Sequence, residues 1–167
     1  MNEPGPACPP INLDAEKSAL GTLTSFYTPQ AVHIVQAAGL QPNDFYYRAH
    51  THVYRAVLRL HRKGDHVDHI TVVRVLTEFG KLEEVGDARL EEFAAYARPA
   101  GLREHALIVH EDSVWRQRLA ALYDAQASLH DRDVDAFWVA VASIQRDAVP
   151  EEPLRVIEGG KAQEKAS

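Results

Sequence analysis

Between residues 11 and 149 apolar side chains recur mostly three and four positions apart, the spacing that gathers them on one side of a helix. No Asn-Gly or Asp-Gly flanked by alternating apolar positions marks a hairpin of strands. The pattern therefore predicts an all-α chain. A first helix follows Asn12 as cap through DAEKSALGTL, and a second opens at Thr28-Pro29 and closes at Gly39. A third runs from near Phe45 to Lys63, with Gly64 as the stop and Val53, Tyr54, Val57, Leu58 and Leu60 as its apolar stripe. ITVVRVLTEF, residues 70 to 79, is β-branched enough to be a buried strand, but Asp68 before it and Gly80 after it are helix punctuation. A short helix around 88 to 97 ends at Arg98-Pro99-Ala100-Gly101.

From Leu102 to His130 no Pro or Gly interrupts, which allows a helix of roughly 40 Å. Ile108, Trp115, Leu122 and Leu129 are spaced seven apart with Leu119 between, a seam suited to packing along one partner helix, expected to be the next in sequence. After HDRD, Val134, Phe137, Trp138, Val141 and Ile144 form a second stripe. The expectation is a small globular helical domain followed by a long antiparallel helical hairpin over 102–148. Residues 1–10, rich in Pro and Gly, read as a flexible arm, 11–149 as the folded domain, and 150–167 as a polar tail.

Composition narrows the picture. The chain of 167 residues, 46% hydrophobic, suffices for one core. A formal net charge of -6 at pH 7 excludes binding of nucleic acid by overall positive charge, though a local basic stripe remains open to it. The single cysteine, Cys8, cannot form an internal disulfide, and no apolar run reaches the ~20 residues that span a bilayer. The expected location is the cytoplasm, without membrane association.

With the elements placed, three stretches share a known order: PPINLDAEKSALG at 9–21, LQPNDFYYRAHTHVYRAVLRLHRKGDHVDHITVVRVL at 40–76, and GKLEEVG at 80–86. They resemble the N-terminal domain of DnaB-type replicative helicases, with its pattern PPxNLEAExSVLG, DFYxxAHxxIFxAIxxLxxxGxPVDxVTVxxxL and GxLExVGG. The resemblance runs over about 9 to 122. Asp87 stands in place of the second glycine, and Glu91 and Glu92 interrupt the family's apolar pattern.

Family members continue into a RecA-like ATPase domain and act as ATP-dependent DNA helicases. A P-loop needs G-x-x-x-x-G-K-[ST], whose glycines bring backbone N–H groups to the phosphates. Here Gly160-Lys161 is followed by Ala162, and Arg155 replaces the first glycine, so ATP hydrolysis by this chain alone is not expected. The resemblance implies a non-catalytic module that self-associates as a dimer or higher oligomer, builds a helicase collar and docks primase.

Three groups of side chains compete for a functional role. On the hairpin, Ile108, Trp115, Leu119, Leu122, Leu129, Phe137, Trp138 and Val141 are core residues or an oligomer and partner interface, and the resemblance favours the interface. Arg48, His52, Arg55, Arg59 and Arg62 follow 4, 3, 4, 3 spacing on the third helix, either as a solvated face or as a contact for nucleic acid or an acidic partner. HRKGDHVDHI, residues 61–70, concentrates His61, Asp65, His66, Asp68 and His69. A small metal protein could use them, but the ligands lack the spacing of strong zinc motifs, and helix end, glycine reversal and aspartate cap account for the stretch. His50 reads as a structural core histidine. No nucleophile motif accompanies it, and no catalytic residue, cofactor or metal is assigned.

Overall fold

The computed structural model describes residues 9–146, and over these it is helical with no strand. The arm, through residue 8, and the tail from 150 lie outside the described residues. Asn12 starts α1 (Leu13–Ser25) by accepting from the Ala15 N–H at 3.0 Å, and Thr28 starts α2 (Pro29–Ala37) by accepting from Ala31 at 3.1 Å. The β-branched run is α4 (His69–Glu78), a helix rather than a strand. A single turn, α5 (Leu82–Val85), precedes α6 (Asp87–Tyr96).

The third helix, α3 (Arg48–Lys63), starts later than the apolar pattern predicts, at Arg48 rather than near Phe45. Pro42–Asp44 forms a separate 3-10 turn, closed by the Gln41 N–H donating to Asp44 Oδ2 at 2.7 Å. The Tyr46 N–H then donates to Glu16 Oε1 at 2.8 Å, which holds the segment before α3 against α1 in place of a helical hydrogen bond. At its other end α3 stops on Gly64, whose left-handed φ of 74° suits glycine.

Around α1 the core gathers Leu20, Leu23, Val32, Val35, Val53, Tyr54, Val57 and Phe93, all buried. Each such side chain contributes about 2 kcal/mol by leaving water. Among them lies a polar pair. Glu16 and His50, both buried, meet with Nδ1 2.6 Å from Oε2, and the rings of Phe45, Tyr47 and Phe93 surround the imidazole edge to face. His50 is thus the structural histidine expected of it.

Helix α6 packs on α1 closely enough that a Cβ at Gly21 would lie 2.7 Å from the Phe93 carbonyl carbon. Glu92 does not weaken this contact, because it takes Lys17 Nζ at 2.6 Å while Leu90 and Phe93 turn inward. That hydrogen bond raises the Lys17 pKa against the opposing effect of desolvation, and it lowers that of Glu92.

The hairpin is α7 (Leu102–His130) and α8 (Val134–Arg146), joined by a turn in which Asp133 Oδ1 accepts from the Ala136 N–H at 3.0 Å. The first half of α7 belongs to the body: Leu102, Ala106 and Val109 are core residues, and Ile108 packs against them. Past Val114 the buried positions are Ala121 and Ala125, with Ala140 on α8. Small side chains there let the two helices approach. The seven-residue seam is not what α8 covers, since Trp115, Leu122 and Leu129 remain 59%, 55% and 62% exposed. The partner of that seam is therefore not the next helix, because alanines occupy the face that α8 meets.

Two substitutions test this packing by chemical denaturation. Gly21→Ala should destabilise by about 3 kcal/mol or more, because overpacking against the Phe93 backbone exceeds the ~1 kcal/mol gain in helix propensity. Glu16→Ala should cost about 3–5 kcal/mol, since it leaves the buried His50 imidazole and the Tyr46 N–H without their acceptor. A loss under ~1 kcal/mol in either variant contradicts the assigned contact.

Candidate interaction surfaces

Apolar side chains without cover concentrate on the hairpin. In addition to the α7 seam, Val134, Trp138 and Val139 of α8 are exposed, Val139 at 71%, while Phe137 and Val141 are half-buried on the inner side. Leu119 is half-buried as well, and Ile108, packed against the core, does not belong to the free stripe. The indoles are held in place: the Arg118 guanidinium lies 5.1 Å from the Trp115 ring centre, and Phe137 meets Trp138 edge to face at 5.2 Å. The sequence-predicted interface residues thus divide into an outward set, Trp115, Leu122, Leu129 and Trp138, and a remainder that packs inward.

Helix α3 presents the basic residues, but not as one solvated face. Arg48, Arg55 and Arg62 are exposed, whereas Arg59 is half-buried and the His52 side chain is only 10% exposed. Arg59 lies over the Phe79 ring at 4.8 Å, and Arg55 donates to Asn43 Oδ1 at 3.0 Å. Together with Gln36, Gln41 and Pro42 on one side and Val75, Leu76, Phe79 and Lys81 on the other, they line a trough of about 700 Å³ along α3.

Glu84 stands near two cations and an imidazole, 3.6 Å from Arg48 Nε, 3.3 Å from Lys81 Nζ and 3.2 Å from His52 Nε2. Desolvation raises its pKa, but the Lys81 hydrogen bond and the neighbouring charges outweigh it and hold the carboxyl below its ordinary range. His52 Nε2 is near enough for attraction but lacks hydrogen-bond alignment, and Arg59 Nε is buried without a hydrogen-bond partner. The apolar run of α4 and its C-cap supplies Val75, Leu76 and Phe79, which the spacing of arginines on α3 could not reveal.

The histidine-rich stretch is a turn. Gly64 ends α3, and Asp68 starts α4 by accepting from the Thr71 N–H at 2.8 Å while Thr71 Oγ1 accepts from the Asp68 N–H at 2.9 Å. Its imidazoles disperse: His61 Nδ1 is 3.0 Å from the Tyr27 hydroxyl, His66 lies 3.8 Å from Asp68 and His69 lies 3.3 Å from Asp87. Among the described residues no three His, Cys, Asp or Glu side chains converge as metal ligands would. His69 has a partner on α6, which the sequence alone did not assign.

The profile described as DnaB-like helicase N terminal domain matches residues 8–111, more than half of the chain. This chain belongs to that family. Within the DnaB-like family, it is 36% identical over 111 residues to the replicative DNA helicase DnaC of Bacillus subtilis (strain 168) and 37% over 111 residues to the replicative DNA helicase DnaB of Geobacillus stearothermophilus. Each alignment covers 65% of this chain and 24% of the relative, so the chain spans about a quarter of these proteins' length. The crystal structure of the N-terminal domain of DnaB helicase from Mycobacterium tuberculosis superposes with a TM-score of 0.76 at 28% identity, covering 83% of this chain and 99% of that one. Among the described residues no helix of this DnaB-like chain is long and apolar enough to cross a membrane.

The Asp68 cap has a pH signature. The Thr71 backbone N–H, supported by its hydroxyl and the charge of His66, holds the carboxyl below its ordinary value of 3.8 against desolvation. A carboxyl depressed in the folded state stabilises above its unfolded pKa and loses that contribution as pH falls through the folded one. Asp68→Ala should therefore cost about 1 kcal/mol at neutral pH, with the gap to wild type shrinking below about pH 4 in thermal melts. A gap that is constant down to acid contradicts the ionised cap.

Proposed function

We propose that this DnaB-like domain is a non-catalytic interaction and oligomerisation module of DNA replication, self-associating through the outer side of its hairpin and docking primase as the family's collar domain does. The observation that supports this most directly is the exposure of Trp115, Leu122, Leu129, Val134 and Trp138 on one projecting element. A patch of that content is costly to leave in water, and tryptophans at the centre of an interface carry a large share of binding energy. The location of the patch is a second support. Among the described residues α8 packs chiefly on α7, which leaves the far half of the hairpin to meet another copy along its length.

No catalytic group is assigned to this chain by itself. His50, the histidine placed best for chemistry, is committed to Glu16 within the core. Replication proteins related to this chain are helicases, and a module of this kind would serve their assembly in the cytoplasm, where DNA is copied.

Sedimentation over a range of concentrations tests the proposal. Wild type is expected to self-associate, while Trp115→Ala and Trp138→Ala should weaken association by about tenfold or more. Helicity and melting should remain unchanged, because both indoles are mostly exposed. A strict monomer at high concentration, or variants that associate like wild type, overturns the hairpin interface. A pull-down with purified primase, with the projecting half of the hairpin beyond Leu119 present and deleted and the core half of α7 kept, addresses the docking separately.

A further inference from the structure

The trough along α3 goes beyond the hairpin reading and is independent of it. We propose that it is a docking groove for an acidic amphipathic helix of a partner protein. Its walls combine two chemistries. Phe79, exposed at the C-cap of α4, forms the apolar side over the core residues Val75 and Leu76, while Arg55, Arg59 and Arg62 of α3 line the trough from the other. These arginines are spaced four and three apart, so their Cα atoms span about 10 Å along the helix axis. Carboxylates at i, i+4 and i+7 of a second helix repeat that spacing, with leucine-like side chains between them facing the α4 wall.

Charge complementarity favours this occupant. In a chain whose net charge is -6, Arg55, Arg59, Arg62 and Lys81 gather in one trough, and Glu84, the acid beside it, is already shared among Arg48, His52 and Lys81. Arg59 is held over the Phe79 ring at 4.8 Å, which fixes its guanidinium at the wall of the trough. Single-stranded nucleic acid fits less well. Successive bases stack on several aromatic faces, whereas Phe79 is the one Phe, Tyr or Trp among the described residues lining the trough, and the Arg59 guanidinium occupies one side of its ring. A short row of cationic side chains facing one apolar side also suits a short rod better than a continuous phosphate backbone.

The test uses the full chain and a fluorescein-labelled synthetic helix of about four turns, with glutamate at i, i+4 and i+7 and leucine on the adjoining face. A scrambled peptide of the same composition, labelled oligo-dT and a labelled ATP analogue complete the anisotropy series. The amphipathic peptide should bind best, weaken as salt rises, and lose about tenfold or more in affinity on Arg59→Glu and on Arg62→Glu. Arg62 is exposed, so its variant keeps the test valid if Arg59→Glu perturbs packing. Trp115→Ala and Trp138→Ala should leave peptide binding unchanged, which separates this groove from the hairpin. Equal binding of the scrambled peptide, preferential binding of oligo-dT or of the ATP analogue, peptide binding blind to Arg62→Glu, or no peptide binding overturns the proposal.

Discussion

A carboxylate withdrawn from water must find its partners inside the protein, and Glu16 organises the body of this domain by doing so. One oxygen faces the His50 imidazole at 2.6 Å, and the other accepts the Tyr46 N–H at 2.8 Å. The pair thereby fixes α1 against both the start of α3 and the extended segment before it. Because Phe93 of α6 packs on the same imidazole, and Gly21 permits α6 to lie against α1, a third helix takes its place from the same point. The orientation of α3, and hence which of its arginines enter the trough, follows from a contact on its opposite side.

Asp44 secures the hairpin in a comparable way. Its carboxylate accepts from Gln41 and faces His110 Nδ1 at 2.9 Å, while its backbone carbonyl accepts from Arg116. Arg116 also donates to the Pro10 carbonyl at 2.9 Å. These ties stop at about the fourth turn of α7, about two turns beyond the core contacts of Leu102, Ala106 and Val109. Farther along, α7 has chiefly α8 for company. Anchoring one half of a long helix and leaving the other outside the body is what exposes Trp115, Leu122 and Leu129.

Elements were readable wherever local chemistry decides them. Asn12, Thr28 and Asp68 cap helices as side chains of their kind do, and Gly64 stops α3 with a left-handed φ. What escaped reading depends on residues far apart in the chain. Nothing around Glu16 reveals a buried carboxylate, because its partner is 34 positions away. Glu92 looks like a break in an apolar pattern until Lys17 is placed beside it. The hairpin seam shows the limit of periodicity: seven-residue spacing marks side chains that share a face, without saying what the face meets. Ala121, Ala125 and Ala140 form the internal contact yet stand out in no hydrophobic pattern, being small.

Two surfaces of different physical character thus belong to one small domain. An apolar face of tryptophan and leucine gains mainly by leaving water, which salt does not weaken and which suits a lasting contact between copies. A trough of arginines beside one apolar side gains from charge, which salt screens within about 10 Å at 0.1 M, so its contact is faster to form and easier to exchange. The two lie on separate elements, and α3 is held to α1 from its buried side whether or not the hairpin is engaged. Assembly through the hairpin would accordingly leave the groove open, and each copy in an oligomer would add one more groove, raising the effective concentration of sites for a partner with more than one acidic helix.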